Sequence, residues 1–134
     1  MRSSGGRVTS AIAALSTAAI AVVALASCSS SATVDTANLT DEQRQGLLLA
    51  QSSGCASCHG SGFTGGVGPA WKGLVGSQVT LTDGSTVTAD HAYLTAAIKE
   101  PAAQLVQGYA IAMPRNSLTD AQIATIVAYI EALG

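Results

Sequence analysis

The sequence of 134 residues predicts a mainly α-helical domain with one small β-hairpin near residues 79–88. Thr40 and Thr119 are each followed three residues later by Gln, and this capping-box pattern marks the first turn of a helix. Between them, alternating β-branched residues flank Asp83-Gly84, a dipeptide typical of a two-residue hairpin turn. The length suits one domain, and no internal repeat is visible.

The elements before the hairpin are predicted from the residues that begin and end them. The first helix is predicted to run from Thr40 to about Ser53, and Gly54 is a typical stop. The glycine-rich residues 60–68 are predicted to form a loop. Residues 69–76 are predicted to form a short irregular or helical turn.

Two more helices are predicted after the hairpin. One covers about residues 90–99 and ends before Pro101, because proline disfavours helical backbone in the residue that precedes it. A loop containing Met113-Pro114 follows, and Thr119 then begins the last helix. Apolar residues of this helix recur at helical spacing, namely Ile123, Ile126, Val127 and Ile130.

Residues 1–27 are predicted to be a signal peptide of the lipoprotein type. Arg2 and Arg7 give it a charged start, and the nineteen residues 8–26 are predominantly apolar. The run ends in Leu25-Ala26-Ser27-Cys28, which resembles the lipobox of bacterial lipoproteins. Cys28 is therefore predicted to be the lipidated first residue of the mature chain. The alternative is an uncleaved anchor, because nineteen residues could nearly span a bilayer.

The rest of the chain divides into a tether and a folded domain. The Ser/Thr/Ala-rich residues 28–39 are predicted to be flexible, and residues 40–134 form the domain. Loss of Arg2 and Arg7 leaves four basic against eight acidic side chains, which moves the formal net charge from −2 to −4. Such a mildly acidic domain without a basic patch is not expected to bind nucleic acid.

The most informative motif is Cys55-Ala56-Ser57-Cys58-His59. C-x-x-C-H is the attachment sequence of a c-type haem, in which each thiol adds to one vinyl group and the histidine ligates the iron. A thioredoxin-like C-x-x-C would instead begin a helix after a buried strand, but a helical pattern precedes this motif. A structural zinc site with His91 as the fourth ligand would lack the second close ligand pair that zinc motifs usually have.

Further segments share the pattern of a known family: residues 54–60, 66–74, 81–84, 89–90, 93–94, 98, 101, 108–109, 113–114 and 128–130. From about Thr40 to Leu133, the chain resembles a class I cytochrome c domain. In detail it is similar to the cytochrome c domain of bacterial cytochrome c oxidase subunit II. It departs from that subunit because a lipobox and tether stand where the copper-binding domain and membrane helices would be.

The resemblance implies the class I cytochrome c fold, with helices around one covalently bound haem c. It makes Cys55 and Cys58 the haem attachment points, and His59 and Met113 the two axial iron ligands. Met113 is the only methionine of the predicted mature chain. The alternative for Met113 is a buried side chain that fills a gap in the core.

Other residues of the resemblance are expected to support the haem. The carbonyl of Pro69 is expected to accept the second ring proton of the histidine, which would fix its tautomer. Trp71 and Tyr109 are expected to contact haem edges or propionates, although packing against any core would give the same pattern. Gly46 and Tyr129 match the crossing of the first and last helices, where glycine admits an aromatic ring.

The implied function is electron transfer without chemistry on a substrate. The expected donor is a quinol–cytochrome c reductase or another dehydrogenase, and the expected acceptor is a haem–copper terminal oxidase. The expected location is the outer face of the bacterial cytoplasmic membrane, held there by a lipid anchor at Cys28. Two alternatives are a haem subunit of a larger oxidase or dehydrogenase complex, and a haem peroxidase or sensor. The last would need an open or displaceable distal site, against which Met113 argues.

Overall fold

Four helices and one antiparallel β-hairpin make up residues 36–134, the part of the chain that this computed structural model describes. The helices are α1 (Asp41–Ser52), α2 (Ala56–His59), α3 (His91–Lys99) and α4 (Asp120–Ala132). The strands are β1 (Gln78–Thr80) and β2 (Thr86–Thr88). The predicted mainly α class with a small hairpin is confirmed.

Several predictions concern residues outside the described part. The signal peptide at 1–27, the lipidation site Cys28 and the tether as far as Asp35 all lie there. Residues 36–39 form a turn that leads into α1, in which the Leu39 amide lies 3.4 Å from the Thr36 carbonyl oxygen. Within residues 36–134, no helix combines the length and the apolar character needed to cross a bilayer.

Both predicted capping boxes are present. At the start of α1, Thr40 Oγ1 accepts a hydrogen bond from the Gln43 amide at 3.2 Å, and Gln43 Oε1 accepts one from the Thr40 amide at 2.9 Å. Thr119 and Gln122 make the same exchange at the start of α4. These bonds satisfy amides that have no partner within the helix, so they fix where each helix begins.

Helices α1 and α4 cross at Gly46. A Cβ placed on this residue would collide with the Thr125 carbonyl oxygen and would lie 2.7 Å from Tyr129 Cβ. Tyr129 is fully buried at this crossing, together with most of the apolar face of α4. The expected pairing of Gly46 with Tyr129 is therefore confirmed, and it brings both ends of the domain into one core.

The hairpin forms, but the predicted two-residue turn is wrong. Strand β1 pairs with β2 with Val79 opposite Val87, and the Leu81 amide then donates to the Ser85 carbonyl at 2.8 Å. Three residues, 82–84, therefore form the loop. Gly84 has a φ of +84°, and the side chain of Asp83 accepts from the Ser85 amide. A three-residue loop with glycine in the left-handed region is the next most common hairpin connection.

Candidate functional site

A crevice of about 710 Å³ lies between two stretches of chain, residues 58–82 and 93–114, with Ile130 of α4 also in its wall. Most of its lining is apolar. Six residues singled out from the sequence line it: Cys58, His59, Pro69, Trp71, Tyr109 and Met113. Cys55 is not part of this lining; it is half-buried and packs against the hydrophobic core.

The C-x-x-C-H motif forms its own short helix, α2, which the sequence analysis did not predict. The Cys55 amide donates to the Ala50 carbonyl at 3.0 Å, and this bond joins α2 to the end of α1. The His59 amide donates to the Cys55 carbonyl at 3.0 Å, which closes one helical turn. Both thiols are free, and burial, reinforced by the neighbouring Cys58, raises the pKa of the Cys55 thiol. The turn brings two thiols and one imidazole together.

His59 is oriented by the carbonyl of Pro69. The ring Nδ1 lies 2.7 Å from this oxygen, which can only accept a hydrogen bond, so Nδ1 carries the proton and Nε2 keeps a lone pair. The imidazole is only 8% exposed. Burial lowers the pKa of His59, although the bond to Pro69 opposes this shift. A neutral, oriented imidazole with a free Nε2 is the form that ligates a metal.

The glycine-rich loop is bound to the backbone of α2. The amide of Gly65 donates to the His59 carbonyl and the amide of Gly68 donates to the Cys58 carbonyl, both at 2.9 Å. These bonds satisfy carbonyls at the helix end. A Cβ on Gly68 would lie 3.3 Å from His59 Cε1, which is tighter than most contacts of that kind. Glycine at this position therefore gives the imidazole its space.

Phe63 supports the site by packing against Trp71, and the sequence analysis did not identify it. This side chain is fully buried and stacks on Trp71, with the ring centroids 4.4 Å apart and the planes at 10°. Its carbonyl accepts from the amides of both Trp71 and Lys72. Trp71 in turn lies 4.9 Å from the ring of His59. The signal available in the sequence was the only phenylalanine of the chain, placed inside a loop otherwise rich in glycine.

Met113 lies on the opposite stretch of chain, in an irregular segment between α3 and α4. Its side chain is half-buried and lines the crevice that His59 also lines. Tyr109, in the same segment, is 40% exposed. The structure thus brings the two predicted axial ligands to one crevice, with Pro69 and Trp71 on the side of the histidine.

Charge is sparse around the crevice. Lys72 is the only charged residue among those lining it, and every acidic side chain of residues 36–134 lies elsewhere. Four exposed large hydrophobic side chains belong to the lining, namely Val67, Leu105, Tyr109 and Ile111. The crevice therefore presents a nearly neutral surface.

The two alternatives for the cysteines find no support in the described residues. The strands are antiparallel, and α2 follows α1 rather than a buried strand, so the thioredoxin-like context is absent from residues 36–134. His91 is exposed and pairs with Glu131, whose Oε1 lies 2.9 Å from its Nδ1. In the same part of the chain, no group of three or more His, Cys, Asp or Glu side chains is placed to hold a metal ion.

The donor set fits a covalently attached haem. An apolar crevice, two thiols on one helical turn, an imidazole with a free Nε2 and a thioether are the groups that such a cofactor needs. Residues 44–134 match the model of a known protein family, cytochrome c. No curated protein matches the sequence.

Proposed function

Since the chain belongs to the cytochrome c family, we propose that it is a membrane-tethered c-type cytochrome that carries single electrons between respiratory complexes. The family implies haem c and electron transfer. The tether, the redox partners and the individual ligand roles go beyond what the family implies. The observation that carries the ligand roles is that His59 and Met113, from distant parts of the sequence, line one apolar crevice.

In this proposal, four side chains would hold the haem. Cys55 and Cys58 would form the thioether bonds, His59 would supply Nε2, and Met113 would supply its sulfur. When bound, haem supplies a one-electron iron couple whose potential is raised by thioether ligation relative to a second imidazole. The Pro69 carbonyl keeps the proton on Nδ1, so the imidazole ligates in one tautomer and one orientation.

Ligation from both sides favours a carrier over an enzyme. If His59 and Met113 both bind the iron, a peroxide or another substrate would have no place to bind. Most of the crevice lining is apolar. Trp71 stacks on Phe63, and its ring centroid lies 4.9 Å from that of His59. Such packing restricts the movement of the imidazole, and an apolar lining offers few polar groups that would rearrange with each electron.

The anchor and partners are proposed from the sequence. The lipobox ending at Cys28 supports a diacyl-type anchor, because stable membrane attachment needs more than one chain. Residues 28–39 would let the domain move between neighbouring complexes at a high effective concentration. The likeness to the cytochrome c domain of oxidase subunit II supports a haem–copper oxidase as acceptor. A quinol–cytochrome c reductase or another dehydrogenase would then be the donor.

The proposal is tested by electron flow in membranes that lack this protein. Oxygen consumption with a quinol-level donor should fall and should return when the lipidated protein is added back. A Met113→Ala protein should restore much less, whereas an exposed His91→Ala protein should restore it fully. Unchanged respiration together with fast peroxide turnover by the pure protein would replace the carrier with an enzyme. Stoichiometric co-purification with one complex would make it a subunit of that complex.

A further inference from the structure

The segment that carries Met113 has almost no backbone attachment to the rest of the molecule. On its N-terminal side, Gln107 donates its amide to the Thr80 carbonyl at 2.9 Å, and an isolated bridge joins Val106 to Leu81. Between that point and the Thr119 cap of α4, residues 108–118 form no backbone-to-backbone hydrogen bond within the described chain. Side chains must therefore hold this wall of the crevice in place.

Asn116 makes two hydrogen bonds that fix the far end of this segment. Its Nδ2 donates to the Ile98 carbonyl at 2.7 Å, and its Oδ1 accepts from the Leu118 amide at 3.2 Å. The Ile98 carbonyl belongs to the last turn of α3, and no backbone amide of residues 36–134 donates to it. The asparagine thus satisfies a carbonyl that the end of the helix leaves without a partner.

The ion pairs nearby are weaker candidates for the same task. Arg115 lies 3.6 Å from Glu100, with the two side chains 77% and 57% exposed. Lys99 and Asp120 are closer, at 2.7 Å, but they also lie in solvent and connect α3 to α4 rather than to the segment. Exposed pairs of this kind contribute little. Asn116 is also exposed, but its 2.7 Å hydrogen bond to the Ile98 carbonyl is part-buried and joins the segment itself to α3, so it is the stronger anchor.

We infer that Asn116 is a positioning residue that holds Met113 against the crevice by joining its segment to the end of α3. Ile98 and Pro101 line the same crevice as Met113, so the bond ties the methionine segment to that part of the crevice wall. Only two residues separate Asn116 from Met113, which limits how far the sulfur can move while the bond is intact. This inference rests on the proposed ligation of the iron by Met113.

The test measures how easily an added ligand displaces the sulfur in the oxidised haem protein. Imidazole is titrated against the wild type, Asn116→Ala, Asn116→Asp and Arg115→Ala, with the far-red sulfur–iron charge-transfer band as the readout. Asn116→Asp keeps the shape and the acceptor but removes the donor to Ile98. A hydrogen bond of this kind sets the expected change at about three- to tenfold tighter imidazole binding in both Asn116 variants. Arg115→Ala should stay within about twofold of the wild type.

Each outcome separates the inference from the function on which it rests. A wild type without the sulfur–iron band would overturn the ligand assignment and this inference together. A wild type with the band, and Asn116 variants with unchanged imidazole affinity, would overturn the inference alone. Hydrogen exchange of backbone amides tests the inference in the wild type alone, so it does not depend on a variant that folds. The Leu118 amide should exchange about tenfold more slowly than the amides of Ile111 and Ala112. Equal exchange rates would also refute the anchor.

Discussion

Tyr129 places a phenol in the core without giving its hydroxyl a partner. The side chain is fully buried, and the oxygen has no hydrogen bond within the described residues. Burial raises the pKa of Tyr129 to about 12, against an ordinary value of about 10. Because the pKa of Tyr129 is raised in the folded state, the contribution of its protonated hydroxyl to the free energy of unfolding is fully present below about pH 10. It is lost as the pH rises from about 10 to about 12.

Tyr129→Phe should therefore flatten the alkaline part of the stability profile. Two pKa units correspond to roughly 3 kcal/mol of unfolding free energy, which the wild type should lose across this range and the variant should keep. Denaturant unfolding of both haem proteins at about pH 8, 10 and 12 measures this loss of unfolding free energy. Burial also raises the pKa of Tyr93, but Tyr93 is present in both proteins, so the difference isolates Tyr129. An equal decline in the unfolding free energy of the wild type and of Tyr129→Phe would show that Tyr129 does not ionise in this range.

At the scale of elements, the crossing of α1 and α4 depends on one missing methyl group. Gly46→Ala would push the new Cβ into the Thr125 carbonyl and Tyr129 Cβ. Alanine is a better helix former by about 1 kcal/mol, but backbone cannot move aside as a flexible side chain can. We expect a net loss of about 1–3 kcal/mol in the free energy of unfolding.

Gln45→Ala is the matched control for this substitution. Gln45 is exposed and precedes Gly46 in the same helix, so its replacement should change the free energy of unfolding by less than about 0.5 kcal/mol. Denaturant titration of the three proteins compares them directly. Equal stability of Gly46→Ala and the wild type would mean that the two helices separate at little cost.

The elements predicted correctly are those whose ends are determined by nearby residues. The capping boxes at Thr40 and Thr119 and the Asp90 cap of α3 use side chains within three residues of the helix start. The hairpin loop was predicted one residue too short. The Asp83 side chain accepts a hydrogen bond from the Ser85 amide, and Gly84 adopts a positive φ, which suits a three-residue loop. Helix α2 was missed because four residues are too few to show a helical period.

For the whole molecule, the distribution of charge bears on how it meets its partners. Of the residues lining the crevice only Lys72 is charged, and exposed apolar side chains lie beside it. Contacts there should depend mainly on apolar burial. We therefore expect the rate of electron transfer to an oxidase to change by less than about threefold between about 20 and 200 mM salt. A steep fall in stopped-flow rates with salt would point to charged docking instead.

Anchoring also belongs to this scale, and it concerns residues outside the described part. Cys28→Ser should remove the acceptor of the acyl chains, so the protein should either leave the membrane fraction or remain unprocessed. Fractionation with mass spectrometry of the N-terminus distinguishes these states. A wild-type protein found in solution with an unmodified Cys28 would contradict the lipoprotein assignment.

The residues of the candidate site could be predicted where their side-chain chemistry is distinctive. They could not be predicted where their role depends on contacts formed only in the folded protein. The C-x-x-C-H motif, Pro69 and the only methionine besides Met1 could be identified in the sequence, and the structure brings His59, Met113 and Pro69 to one crevice. Phe63 left only a weak signal, as the one phenylalanine of the chain, and Asn116 left none, because both acquire their roles through packing and hydrogen bonds with residues from other elements.

The sparse attachment of residues 108–118 makes this stretch a natural place to divide the protein. A single cut there, before Met113, would leave one fragment with the C-x-x-C-H motif and another with Met113 and α4. The two would still share the crossing at Gly46, where α4 is most deeply buried. The packing of α4 against α1 thus holds the two fragments together more than the peptide bond within residues 108–118 does. The two fragments should therefore reassemble without a peptide bond between them, and the sulfur–iron band expected from the proposed ligation by Met113 would report when they have done so.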